Sequence, residues 1–202
     1  MESLEHRNQA ISRSYTKIKC GTSEAFLNDV GVWRKPTTHF EPRTISLQGL
    51  VQHVTSGKAF VPNYYTNSAM RREYFLSSQL LVLDFASGRR GNGVKSLAAD
   101  PFNKEYALLI YPAVDSDPRK PKTRVIYLLP EACDQFEMAE FYTERLAYKF
   151  ASRRPSDSSI FYGSSRRDYV VNYNAVLPFD VLLNLPEVPR KNAAAVQMVM
   201  FS

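Results

Sequence analysis

The hydrophobic positions of this chain fall into short unbroken runs, and that pattern predicts strands buried on both faces. Leu80-Leu81-Val82-Leu83, within Gln79 to Phe85, is one run; Ala107 to Tyr111 is a second and Arg124 to Leu129 a third. Runs of this length between turn signals fit central strands better than half-exposed ones. Ala59-Phe60-Val61 predicts a further strand, stopped by Pro62, and Ile160-Phe161-Tyr162 another, closed by Gly163. Between the second and third runs lie Pro112, Pro118 and Pro121 with Asp115 and Asp117. That composition predicts a long-looped hairpin.

Helical spacing appears in two main places. Ser46 precedes Leu47, Leu50, Val51 and Val54, and Gly57 follows, which predicts an N-capped helix ended by glycine. His53 lies off that stripe and is expected at the surface. Pro130 to Phe150 predicts the longest helix, with Ala132, Phe136, Ala139, Leu146 and Phe150 on one stripe and acids elsewhere. Glu131 and Asp134 near its start, and Arg145 and Lys149 near its end, would complement the helix dipole. Cys133 is expected on its apolar side. A last helix is expected to start at Pro178 and Asp180.

These elements predict an α/β (α+β) fold of two lobes, with a central mixed or antiparallel sheet flanked by helices. The strands ending at Asp84, Tyr111 and Leu129 are expected to be neighbours. A length of 202 residues suits a single domain. Residues 1–43 read as an extension pinned by Phe26, Trp33 and Phe40, residues 44–185 as the domain, and residues 186–202 as a tail. The apolar stretch Ala193 to Phe201 within that tail is expected to dock on the body.

Charge narrows the partner. Lys and Arg number 26 against 20 Asp and Glu, a formal net charge of +6, and the pI is near 9.3. Such an excess attracts polyanions. The basic residues gather in turn-rich stretches: Arg89, Arg90 and Lys95 among glycines, then Arg119, Lys120 and Lys122, then Arg166 and Arg167. The glycines at 88, 91 and 93 do not follow phosphate-loop or dinucleotide spacing. Cys20 and Cys133 form no CxxC pair, which excludes a zinc site or disulfide framework of recognisable spacing. The polar N-terminus and the lack of a long apolar run argue against a signal peptide or membrane span. The expected location is the cytoplasm.

Three segments taken in order resemble the motif regions of archaeo-eukaryotic primase-polymerases. They are the strand ending Asp84-Phe85-Ala86, the strand to Tyr111 with its loop and the returning Lys122-Thr123-Arg124, and Asp157 to Gly163. The resemblance covers residues 44–185. It implies an RNA-recognition-like core, action on DNA or RNA and on nucleoside triphosphates, a helicase or other replication partner, and Mg or Mn if the chain is active. It implies a metal set of Asp84 and Asp157, with Ser116 in the second motif and Arg124 on the returning strand. The departures lie at the same places. Residues two apart on a strand share a face, so a carboxylate at 86 would join Asp84 on the same cations, but position 86 is alanine. Asp115 and Ser116 stand where the family often has Ser and His, and Ser159 or Ile160 replaces an expected Arg.

Three readings stay open at this level. The chain is a primase-polymerase-like domain with impaired catalysis, kept for binding in replication or repair. Or it is an active nucleotidyltransferase using Asp84 with Asp115, Asp117 or Asp157. Or it is a binding module in which Phe60, Tyr64, Tyr65 and Tyr111 stack on bases, although strand aromatics are more often core.

Overall fold

A computed structural model describes residues 13–26, 40–86, 91–113, 122–152 and 160–188. The strands, in chain order, are β1 (Lys17–Phe26), β2 (Glu41–Ser46), β3 (Lys58–Val61), β4 (Asn63–Tyr65), β5 (Phe75–Ala86), β6 (Ala107–Ala113), β7 (Lys122–Cys133), β8 (Phe161–Tyr162) and β9 (Val170–Val171). The helices are α1 (Leu47–Thr55), α2 (Val94–Ala99), α3 (Pro101–Tyr106), α4 (Phe136–Lys149) and α5 (Phe179–Leu183), with a 3-10 turn at Arg72–Tyr74.

The strands form two antiparallel sheets, ordered β2-β1-β3-β8 and β4-β5-β7-β6-β9. The fold is mixed α and β, as the hydrophobic pattern predicts. β7 lies between β5 and β6, so the three expected central strands are neighbours. Their continuous apolar runs are explained by the packing, because each face of the second sheet is covered. Leu80, Val82, Leu109, Ile126 and Leu128 meet α1 and the first sheet's Ile18, Cys20, Phe60 and Phe161. On the opposite face Leu81, Leu83, Phe85, Val125, Tyr127 and Leu129 pack with Leu146 of α4, Leu97 of α2 and Leu182 of α5.

Local chemistry sets several boundaries. The Ser46 hydroxyl accepts from the Gly49 amide at 3.0 Å, capping α1. Gly57 follows at φ +91°, a left-handed conformation that favours glycine. Gly163 is required for a different reason. A Cβ there would lie 2.7 Å from the carbonyl carbon of Val54 and 2.9 Å from its Cα, so β8 can approach the end of α1 only without a side chain.

The structure departs from expectation at three points. The long helix begins at Phe136, because Pro130 to Cys133 continue β7, with Cys133 opposite Ser78. Pro130 lies in the register break of the β5–β7 ladder between the Leu80–Leu128 and Ser78–Cys133 pairs, where a proline costs no ladder bond. Cys133 therefore ends a strand rather than lying on a helix stripe, and Ala132 is exposed. Arg145 is not a surface complement to the dipole: it is 7 % exposed and donates to the carbonyls of Leu182 and Leu183 on α5. His53 is half-buried, its Nε2 donating to the Ala59 carbonyl at 2.9 Å. The stretch read as an extension packed on the domain supplies β1, an inner strand of the first sheet, and Phe40, which is buried with Ala59, Val61, Tyr65 and Tyr162. Trp33, the side chain of Phe26 and the apolar tail lie outside the described residues.

Candidate functional site around Asp84 and Arg124

β5 alternates between two covered faces, and Asp84 continues the Leu80, Val82 side. In the ladder Asp84 is opposite Arg124 of β7, and Arg124 is in turn opposite Tyr111 of β6. Three adjacent strands thus align an acid, a base and a phenol in one row. The row faces the first sheet, where β8 lies.

Arg124 is the centre of this arrangement and is 1 % exposed. Its Nε donates to Asp84 Oδ1 at 2.6 Å and its Nη2 to Oδ2 at 3.0 Å. Its Nη1 donates to the Tyr162 carbonyl of β8 at 2.9 Å. The guanidinium carbon lies 4.6 Å from the Phe161 ring centroid and 5.9 Å from that of Tyr111. The Tyr111 hydroxyl reaches the same Tyr162 carbonyl at 3.4 Å. Arginine suits this position because its planar fork satisfies both carboxylate oxygens while its face stacks on aromatics. The result is a bidentate, charge-assisted bridge that ties β5 and β7 of one sheet to β8 of the other.

The next row toward the strand ends is Ala86, Lys122 and Ala113, paired across β5, β7 and β6. Asn92 holds this end by donating to the Ala86 carbonyl at 2.5 Å. Where a second carboxylate would stand beside Asp84, the methyl of Ala86 faces a lysine across the ladder.

The described residues alone do not complete a magnesium or manganese site. Magnesium asks for near-octahedral oxygen ligation, whereas the described row offers one carboxylate, each oxygen of which accepts from the Arg124 guanidinium. Among the described residues no group of three or more His, Cys, Asp or Glu could hold a metal. Asp115, Ser116, Asp117 and Asp157 lie outside the described residues, as do Arg89, Arg90, Arg119 and Lys120. Of the basic residues expected to meet nucleic acid, Lys95, Arg166 and Arg167 are exposed and Lys122 is half-buried. Arg124, expected to meet nucleotide or nucleic acid, is an interior residue bonded to Asp84 and Tyr162. Phe60, Tyr65 and Tyr111 are core, at 0 %, 4 % and 1 % exposure. Tyr64 is half-exposed, with the Lys19 ammonium 5.5 Å from its ring centroid.

Sequence reasoning missed the role of Tyr162, whose contribution is a backbone carbonyl and leaves no signature in residue type. It also missed that Arg124 pairs with Asp84. The signal available was an acid and a base on two buried strands, and only the register of β5 against β7 joins them.

Comparison with known proteins adds little to this geometry. No family model matches the chain, and no curated protein does. Among solved structures the chain is similar to the AEP domain of the cyanophage S-2L primase-polymerase, with a TM-score of 0.47 and 10 % identity. That likeness covers 91 % of this chain and 97 % of the phage domain. No helix of the described residues is long and apolar enough to cross a membrane.

Proposed function

We propose that this chain is a primase-polymerase-like domain that binds nucleic acid in replication or repair and whose nucleotidyl-transfer centre is impaired. The observation that carries the reading is the engagement of both Asp84 oxygens by Arg124 at 2.6 and 3.0 Å. A carboxylate held this way is a structural ion pair, with one acceptor site on each oxygen engaged by the guanidinium. Ala86 beside it and Lys122 across the ladder support the same conclusion, since both oppose a cation site. The ordered motif regions and the formal charge of +6 support a nucleic-acid partner.

The experiment pairs a binding assay with a synthesis assay on the unmodified protein. Single-stranded and primer-template DNA and RNA should bind at low salt, with affinity falling steeply as salt rises. Primer extension and primer synthesis with magnesium or manganese should stay at background. Robust synthesis that disappears in Asp84→Asn, a change that keeps the shape of the side chain, would refute the reading.

A further inference from the structure

β9 is the edge strand of the second sheet, and its ladder with β6 sets Ile110 opposite Val170 and Leu109 opposite Val171. Tyr169 immediately precedes these paired residues. Tyr111 is core, whereas Tyr169 is 39 % exposed.

The segment carrying Tyr169 is fixed at both ends. At its start the Gly163 amide donates to the Lys58 carbonyl at 3.1 Å and the Ser164 amide to the Val54 carbonyl at 2.8 Å. At its end the Asn172 amide donates to the Leu108 carbonyl at 2.8 Å, just past the β9 ladder. Between these anchors Arg166, Arg167, Asp168 and Tyr169 are exposed. Neither arginine makes an ion pair with a described residue, and the lone acid leaves the segment net positive. An exposed aromatic beside exposed arginines, on backbone held at both ends, meets the two needs of an unpaired strand. Its bases need a flat apolar surface and its phosphates need cations.

We infer that Tyr169 is a base-stacking residue for single-stranded nucleic acid, with Arg166 and Arg167 meeting its phosphates. The inference rests on the nucleic-acid reading above and adds to it a named surface and a preference for unpaired bases. A stacked base is worth enough that losing Tyr169 should weaken binding about 5- to 150-fold. Losing two phosphate contacts should instead flatten the salt dependence by about 1.4 in the logarithmic slope, roughly 0.7 per contact on a single strand.

The test is fluorescence anisotropy of the whole chain with a labelled oligothymidine and with an abasic oligomer of equal length and charge. The unmodified protein should prefer the oligothymidine. Tyr169→Ala should lose that preference with its salt slope unchanged, and Tyr169→Phe should keep it. Arg166→Ala with Arg167→Ala should flatten the slope for both oligomers. Equal affinity of the unmodified protein for the two oligomers overturns the inference, as does a Tyr169→Ala variant that keeps the preference. Those results leave nucleic-acid binding standing. Failure of the unmodified protein to bind either oligomer at low salt removes both readings.

Discussion

Replacing Asp84 by alanine should destabilise the fold severely, because it strips a buried guanidinium of its counter-charge. Arg124 is 1 % exposed and the Asp84 side chain 19 %, so water cannot take over from the lost carboxylate. Two charge-assisted hydrogen bonds vanish, at about 1.5–3 kcal/mol each. Breaking a buried pair by removing one partner costs about 3–5 kcal/mol, and the two estimates agree. Against a total stability of about 5–15 kcal/mol, such a loss is large. Urea unfolding followed by circular dichroism reads it directly.

Removing both charges tests the cause. Arg124→Met combined with Asp84→Ala should be less destabilised than Asp84→Ala alone, since the double variant buries no unpaired charge. A carboxylate kept mainly for metal binding would behave in the opposite way. Its removal would leave stability without divalent ions nearly unchanged and abolish any gain on adding magnesium. An Asp84→Ala variant within about 1 kcal/mol of the parent protein refutes the ion-pair reasoning.

Two further outcomes follow from single contacts. Gly163→Ala should cost at least about 3 kcal/mol by the same urea assay, since its Cβ would collide with the backbone of Val54 rather than with a side chain that can turn aside; a loss below about 1 kcal/mol would show that β8 can retreat from α1. Burial, the largest influence, with Lys58 adding to it, holds the His53 pKa below its ordinary value of 6.5 against the opposing Ala59 hydrogen bond and Glu24, so the unfolded chain takes up the proton first. Stability contributed by neutral His53 is therefore present above about pH 6.5 and is lost as pH falls below it, and His53→Gln should flatten the urea midpoint between pH 7.5 and 5.5; an equal fall in both proteins would refute the assignment.

How much of this was legible in the sequence depended on how strongly each element declared its burial. β5, β6 and β7 were plain because burial on both faces forces continuous apolar runs. α1 was plain because cap, stripe and glycine agree. β1 was not, since Lys17-Ile18-Lys19-Cys20-Gly21-Thr22 alternates but only Ile18 among its inward positions is a large apolar residue, with Cys20 and Thr22 filling the others. α2 and α3 have six residues each, too few to establish a period. Their only clear signal was Asp100-Pro101, where Asp100 accepts from the Asn103 amide at 3.0 Å and proline opens the helix. The overlong helix at 130–150 arose because Ala132 and Phe136 share a helical interval by coincidence across a strand end. At the site, Asp84 was legible as a strand-terminal acid, but its partner lies 40 residues away and depends on ladder register.

The electrostatics of the two rows bear on the proposal that nucleic-acid binding is kept while metal-dependent chemistry is impaired. Carboxylates at both 84 and 86 would concentrate negative charge at the strand ends, which draws divalent cations and repels phosphates until those cations arrive. Here Asp84 is neutralised by Arg124 and Ala86 adds nothing, so among the described residues of these two rows Lys122 leaves one positive charge in excess. A field of that sign attracts the phosphate backbone without any metal intermediary. Restoring a single carboxylate by Ala86→Asp does not rebuild a cation site, because the new acid meets Lys122 across the ladder while Asp84 stays with Arg124. The guanidinium that holds the carboxylate also bonds the Tyr162 carbonyl of β8, so freeing Asp84 for a metal would strip a buried arginine of its counter-charge. Under the proposal, stability and any metal binding draw on the same carboxylate, whose two oxygens each accept from Arg124.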